Sequence, residues 1–119
     1  MNSSSFIRTQ MIQHLSAKDF FKHLGNCVQR ELSENGDACE VVVKTLPHYY
    51  MTVKFQGKTY QLAFKKSYVN QLMKGEIFAL DRTIWMFLEQ KGLMIPETSG
   101  NYMKHVFPRG HRTVVLASI

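Results

Sequence analysis

Hydrophobic positions along this chain change period three times, and the changes divide it into elements. From Ile7 to Leu32 apolar residues recur every three or four positions, the spacing that lines one face of a helix. Ile7, Met11 and Leu15 mark a first short helix. Ser16 is placed to N-cap a second, with Asp19 at N3 and Leu15 and Phe20 at the two staple positions. Phe20, Leu24, Val28 and Leu32 form its stripe, which Phe21 and Cys27 widen. Gly25 interrupts the stripe at a cost of about 1 kcal/mol relative to alanine. Because the periodicity continues through it, the helix is expected to run to about Glu34 and stop at Asn35-Gly36.

The period then shortens to two. The β-branched run EVVVKTL (40–46) predicts a strand, Pro47 a turn, and MTVKFQGKTYQLAFKK (51–66) a hairpin. With Gln56-Gly57 as a two-residue turn, Phe55 pairs with Lys58, Val53 with Tyr60 and Met51 with Leu62. All but Lys58 are apolar and share one face. The opposite face receives Lys54 with Thr59, Thr52 with Gln61 and Tyr50 with Ala63. A slip of one residue would destroy this agreement, so the register is strongly specified.

Helical spacing returns afterwards. Ser67 is read as the cap of a short helix over 68–74, ended by Gly75. Asp81 is read as the cap of another over 82–91, with Gly92 at C′ and Leu93 placed to meet Leu88 in a Schellman ending. PETSGN (96–101) predicts a loop. YMKHVF and RTVVLASI, flanking PRGH, predict a C-terminal β-hairpin. No repeat or low-complexity segment is present. The expected fold is α+β: one domain over residues 1–119, with 1–5 as a disordered tail. A three-stranded antiparallel meander and the C-terminal hairpin would pack with about four helices.

Length and composition agree with that picture. The chain has 119 residues, of which 45% are hydrophobic and 12% aromatic, enough for a core without disulfide or metal staples. No apolar run is long enough to span a bilayer, and the N-terminus lacks the pattern of a secretory signal, so no membrane association is expected. Two cysteines without CxxC spacing fit reduced thiols in the cytoplasm.

Charge adds a question. The net charge is +6, and the excess lies in residues 37–66, with five basic and two acidic side chains, and 96–119, with three and one. These are the segments read as β. Lys54, Lys58, Lys65, Lys66, Arg109 and Arg112 are therefore the candidate contacts for nucleic acid or another anionic partner. Two arrangements would use them: an open sheet face carrying Tyr50, Thr52 and Lys54, extended by Lys44 or by Lys65 and Lys66, or a winged helix whose wing is the C-terminal hairpin. The helix DRTIWMFLEQK argues against the second, because Ile84 to Leu88 are five consecutive large apolar residues where a recognition helix needs polar ones.

That same run demands burial on two sides and makes Trp85 and Met86 candidate interface residues, including for a second copy of the chain. Catalytic signals are weak. His23 and Cys27 lie at i, i+4, but Cys27 borders the apolar stripe and is read as a core thiol. The five histidines show no zinc spacing, the carboxylates sit at helix ends, and no phosphate loop occurs. No catalytic residue, metal or cofactor is expected. The leading reading is a small non-enzymatic regulatory or adaptor protein working through protein–protein contact and self-association. Nucleic-acid binding stands second and a small enzyme third.

Overall fold

The computed structural model describes residues 5–34, 36–95 and 101–108. Outside them lie the expected tail up to Ser4, Asn35 of the helix stop, the loop from Pro96 to Gly100, and the C-terminal hairpin from Arg109 onward, including Arg112.

The described residues form an α+β unit in the order α1 (Ser5–His14), α2 (Ala17–Leu32), β1 (Cys39–Lys44), β2 (Tyr49–Phe55), β3 (Lys58–Phe64), α3 (Lys66–Met73), α4 (Ala79–Gln90) and α5 (Asn101–Val106). The sheet is antiparallel in the order β1-β2-β3. Its register is the expected one: Phe55 opposite Lys58, Val53 opposite Tyr60, Met51 opposite Leu62. Gln56 and Gly57 both have positive φ, 53° and 77°, as a two-residue turn matched to the twist of the strands requires.

Alternation along the strands sends Tyr49, Met51, Val53, Phe55, Tyr60, Leu62 and Phe64 into the core. α2 covers β1 and β2, and α4 covers β3. Phe20, Phe21, Leu24, Val28 and Leu32 of α2 and Leu80, Ile84, Trp85 and Leu88 of α4 complete that core. Gly25 has a structural reason. A Cβ there would stand 2.7 Å from Val43 Cγ2 and 3.4 Å from Val41 Cγ1, so the missing side chain lets β1 approach the helix.

Local signals held at several ends. The Ser16 hydroxyl accepts from the Asp19 amide at 3.1 Å. Gly92, at φ 104°, ends α4, with the Leu93 amide donating to the Leu88 carbonyl at 3.0 Å and the Gly92 amide to Glu89 at 2.9 Å, the full Schellman pattern.

Four expectations are corrected. The first strand of the C-terminal hairpin is instead helix α5. Tyr102 and Val106 are both buried, and a separation of four residues satisfies a helix face as well as a strand face over so short a run. With α5 the described residues hold five helices. α3 begins two residues earlier than Ser67 implies, with Lys65 at the cap position and no side-chain cap bond. Asp81 does not cap α4 but lies inside its first turn, fully buried. In α1 the buried position is Arg8, with Met11 and Ile12 packed against the core, while Leu15 is largely exposed.

Candidate binding surface

The pleat that buries one side of the sheet turns Glu40, Val42 and Lys44 of β1, Tyr50, Thr52 and Lys54 of β2, and Thr59, Gln61 and Ala63 of β3 to the other. The helices pack on the core side, and among the described residues no element packs over this outer face. Three cross-strand rows compose it: Glu40–Lys54–Thr59, Val42–Thr52–Gln61 and Lys44–Tyr50–Ala63.

The rows differ in character. At the turn end Lys54 meets Glu40 at 4.0 Å, both well exposed, an ion pair of little energetic weight that still neutralises the lysine locally. Val42 stands in the middle row, and the far row sets Tyr50 and Ala63 beside Lys44. Val42 is 41% exposed, and Leu46, in the β1–β2 loop, is 74% exposed. The His48 ring stands edge-on to Tyr50 with centroids 6.2 Å apart, and Lys44 is the cross-strand neighbour of Tyr50.

The lysines singled out from the sequence do not gather in one place. Lys54 is on the outer face. Lys58 closes the hairpin and lines a shallow concavity with Thr59, Tyr60, Gln61 and Lys91. Lys65 and Lys66 begin α3 at the other end of β3, roughly 20 Å away at the rise of an extended strand. The winged-helix arrangement loses its wing, since residues 101–106 are helical. Of the two candidate interface residues, Met86 is 41% exposed while Trp85 is completely buried in the chain's own core. The indole therefore presents no surface for a second copy.

Sequence reasoning missed a buried polar cluster beneath α1. The Arg8 guanidinium donates from Nη1 to Asp81 Oδ1, and both side chains are inaccessible to solvent. The Tyr102 hydroxyl donates to Asp81 Oδ2 at 2.7 Å and accepts from Trp85 Nε1 at 3.2 Å. The guanidinium carbon lies 4.6 Å from the centroid of Phe78 and 5.1 Å from that of Phe20. Arg8 Nε and Nη2 have no hydrogen-bond partner among the described residues. Burial raises the Asp81 carboxyl above its ordinary value, and Arg8 and Tyr102 oppose that rise. The cluster ties α1, α4 and α5 together across the core.

Beside it the expected His23–Cys27 contact is present, with Nε2 and Sγ 3.4 Å apart. Burial, reinforced by Asp81, pushes the Cys27 thiol up to about 11. Burial, then the nearby Arg8 and Arg30 charges, lowers the His23 imidazole. Both groups are thereby held neutral, opposite to the thiolate–imidazolium pair that a cysteine nucleophile needs. Among the described residues no group of three or more His, Cys, Asp or Glu side chains is placed to hold a metal ion. No helix among them is long and apolar enough to cross a membrane.

Comparison with protein-family models, with curated proteins and with solved structures finds no match to this chain.

Proposed function

We propose that this chain is a small non-enzymatic binding module, regulatory or adaptor in role, that receives a protein partner on its sheet. The observation that carries the reading is the uncovered outer face, where Val42 is exposed in the row next to Lys44 and Tyr50, with the exposed Leu46 two residues beyond Lys44 in the chain. The neutral state of the Cys27–His23 pair supports a binding role over covalent catalysis. Both cysteines are free thiols, which suits a reducing compartment such as the cytoplasm.

The test replaces Val42 and Leu46 by aspartate, with folding checked by circular dichroism. Proteins captured by the wild-type chain should be lost from the double variant. Capture that is indifferent to both substitutions overturns the reading. A second reading, single-stranded nucleic acid, is favoured by the Tyr50–His48 ring pair next to Lys44. It predicts anisotropy changes with mixed-sequence oligonucleotides that fall steeply with salt and vanish in Tyr50→Ala.

A further inference from the structure

The two edges of the sheet are not equivalent. In the two-residue hairpin, Phe55 and Lys58 are the hydrogen-bonded pair that closes the turn. Alternation then directs the backbone groups of Lys58, Tyr60, Leu62 and Phe64 toward β2 and those of Thr59, Gln61 and Ala63 outward. The same count on β1 directs Val41 outward, and its amide is already taken by the Gln29 side chain of α2, Oε1 accepting at 3.2 Å. No backbone bond joins Thr59, Gln61 or Ala63 to any other loop or element of the described residues. Among the described residues, one edge has an outward amide taken by its helix and the other has none taken.

The open edge is also the basic one. Where β3 begins, its edge and the C-terminal end of α4 border a shallow concavity lined by Lys58, Thr59, Tyr60, Gln61 and Lys91. Lys58 is exposed, and Tyr60, on the core side of the strand, is only 8% exposed. A strand laid along this edge would alternate its side chains between two environments. Those on the core side would meet Lys58 and Lys91, and those on the outer side would lie beside Thr59 and Gln61.

We infer that the open edge of β3 takes an extended, acidic segment of a partner protein as a fourth strand, its carboxylates facing Lys58 and Lys91. Main-chain bonds to Thr59, Gln61 and Ala63 supply affinity, and the lysines select the segment's charge. A second copy of this chain fits poorly. Each copy has a net charge of +6, and a symmetric antiparallel pairing centred on Gln61 sets Lys58 of one opposite Phe64 of the other, with Lys65 next in sequence. The inference rests on the protein-binding reading above and specifies its mode.

The experiment is amide hydrogen exchange by NMR on the full-length chain, free and with a short blocked peptide alternating threonine and glutamate. In the free chain Thr59, Gln61 and Ala63 should exchange quickly while Tyr60 and Leu62 exchange slowly. Saturating peptide should slow the three edge amides by about tenfold or more. The lysine analogue should leave them unchanged, and Lys58→Glu with Lys91→Glu should weaken the acidic peptide by about tenfold or more. Gln61→Pro removes one outward amide while sparing the ladder to β2 and should abolish binding. If that variant misfolds, the charge reversals carry the test alone.

Edge amides that are already slow in the free chain overturn the inference, because the edge is then occupied by the chain itself or a second copy. No protection at saturating peptide overturns it as well. Peptide-induced shifts confined to Val42, Thr52 and Tyr50 overturn the edge mode and leave the protein-binding reading standing. An oligonucleotide that protects the same amides and displaces the peptide overturns both.

Discussion

The Arg8 guanidinium and the Asp81 carboxylate, 73 residues apart in sequence, form an ion pair with no solvent access to either side chain. Removing one partner of such a pair leaves the other as an uncompensated buried charge. Asp81→Ala should cost about 3–5 kcal/mol in urea denaturation. Replacing both, as Arg8→Met with Asp81→Leu, should recover most of that loss, because the desolvation cost of both charges disappears. A double variant no more stable than Asp81→Ala would show that apolar packing cannot replace the pair.

Tyr102 joins that pair to Trp85 through a single hydroxyl. Tyr102→Phe keeps the ring and strands both a buried carboxylate oxygen and an indole N–H. A loss of about 1–3 kcal/mol is expected. Trp85 is the single tryptophan, so its emission should report the lost bond directly in the folded variant.

Gly25→Ala should destabilise the protein although alanine is the better helix former. The added methyl meets the stiff Val43 side chain at 2.7 Å, and overpacking of this kind costs about 1–3 kcal/mol against a propensity gain of about 1. Val43→Ala in the same background should relieve the clash, so thermal melts of the cycle would give a favourable coupling between the two substitutions.

His23 gives stability an acid-side dependence. Its imidazole is lowered from the ordinary 6.5, so below that value the unfolded chain binds the proton more readily than the folded one. The contribution is complete above pH 6.5 and is lost progressively as the pH falls from there toward the folded-state value. Denaturation of the wild type and of His23→Gln, compared on the two sides of that window, should show a flatter profile for the variant.

Thiol labelling should be ordered by burial. Cys27 is buried and pushed up to about 11, and burial also raises the half-exposed Cys39, though Cys39 is the more accessible. Ellman's reagent should modify Cys39 slowly in the native protein and reach Cys27 only on unfolding. Rapid native modification of Cys27 would contradict the packing of α2 against the sheet.

Local and near-local information carried the meander, α2 and the close of α4. In the hairpin, alternation and a two-residue turn act within sixteen residues, and a one-residue slip would put Met51 and Val53 on the face opposite Tyr60 and Leu62. Ser16 and Gly92 work through backbone groups only a few residues away, so their chemistry is visible in a short window. What the window lacks is anything that joins distant residues. Arg8 looks like a surface position of a short helix, and Asp81 looks like a cap, because each has a local explanation that costs nothing. Only the folded core brings them together under Phe20 and Phe78, where the pairing becomes obligatory. α5 is the same lesson in backbone form: Tyr102 and Val106 suit either period, and contact with Trp85 and Arg82 decides for the helix. The contrast among the described residues between a β1 edge bonded at Val41 and a β3 edge with no such bond is likewise tertiary, since it depends on where α2 places Gln29. The sequence by itself determined which residues face the core of the sheet. The tertiary structure decided which face and edge of the sheet stay uncovered among the described residues, because exposure depends on where the helices pack.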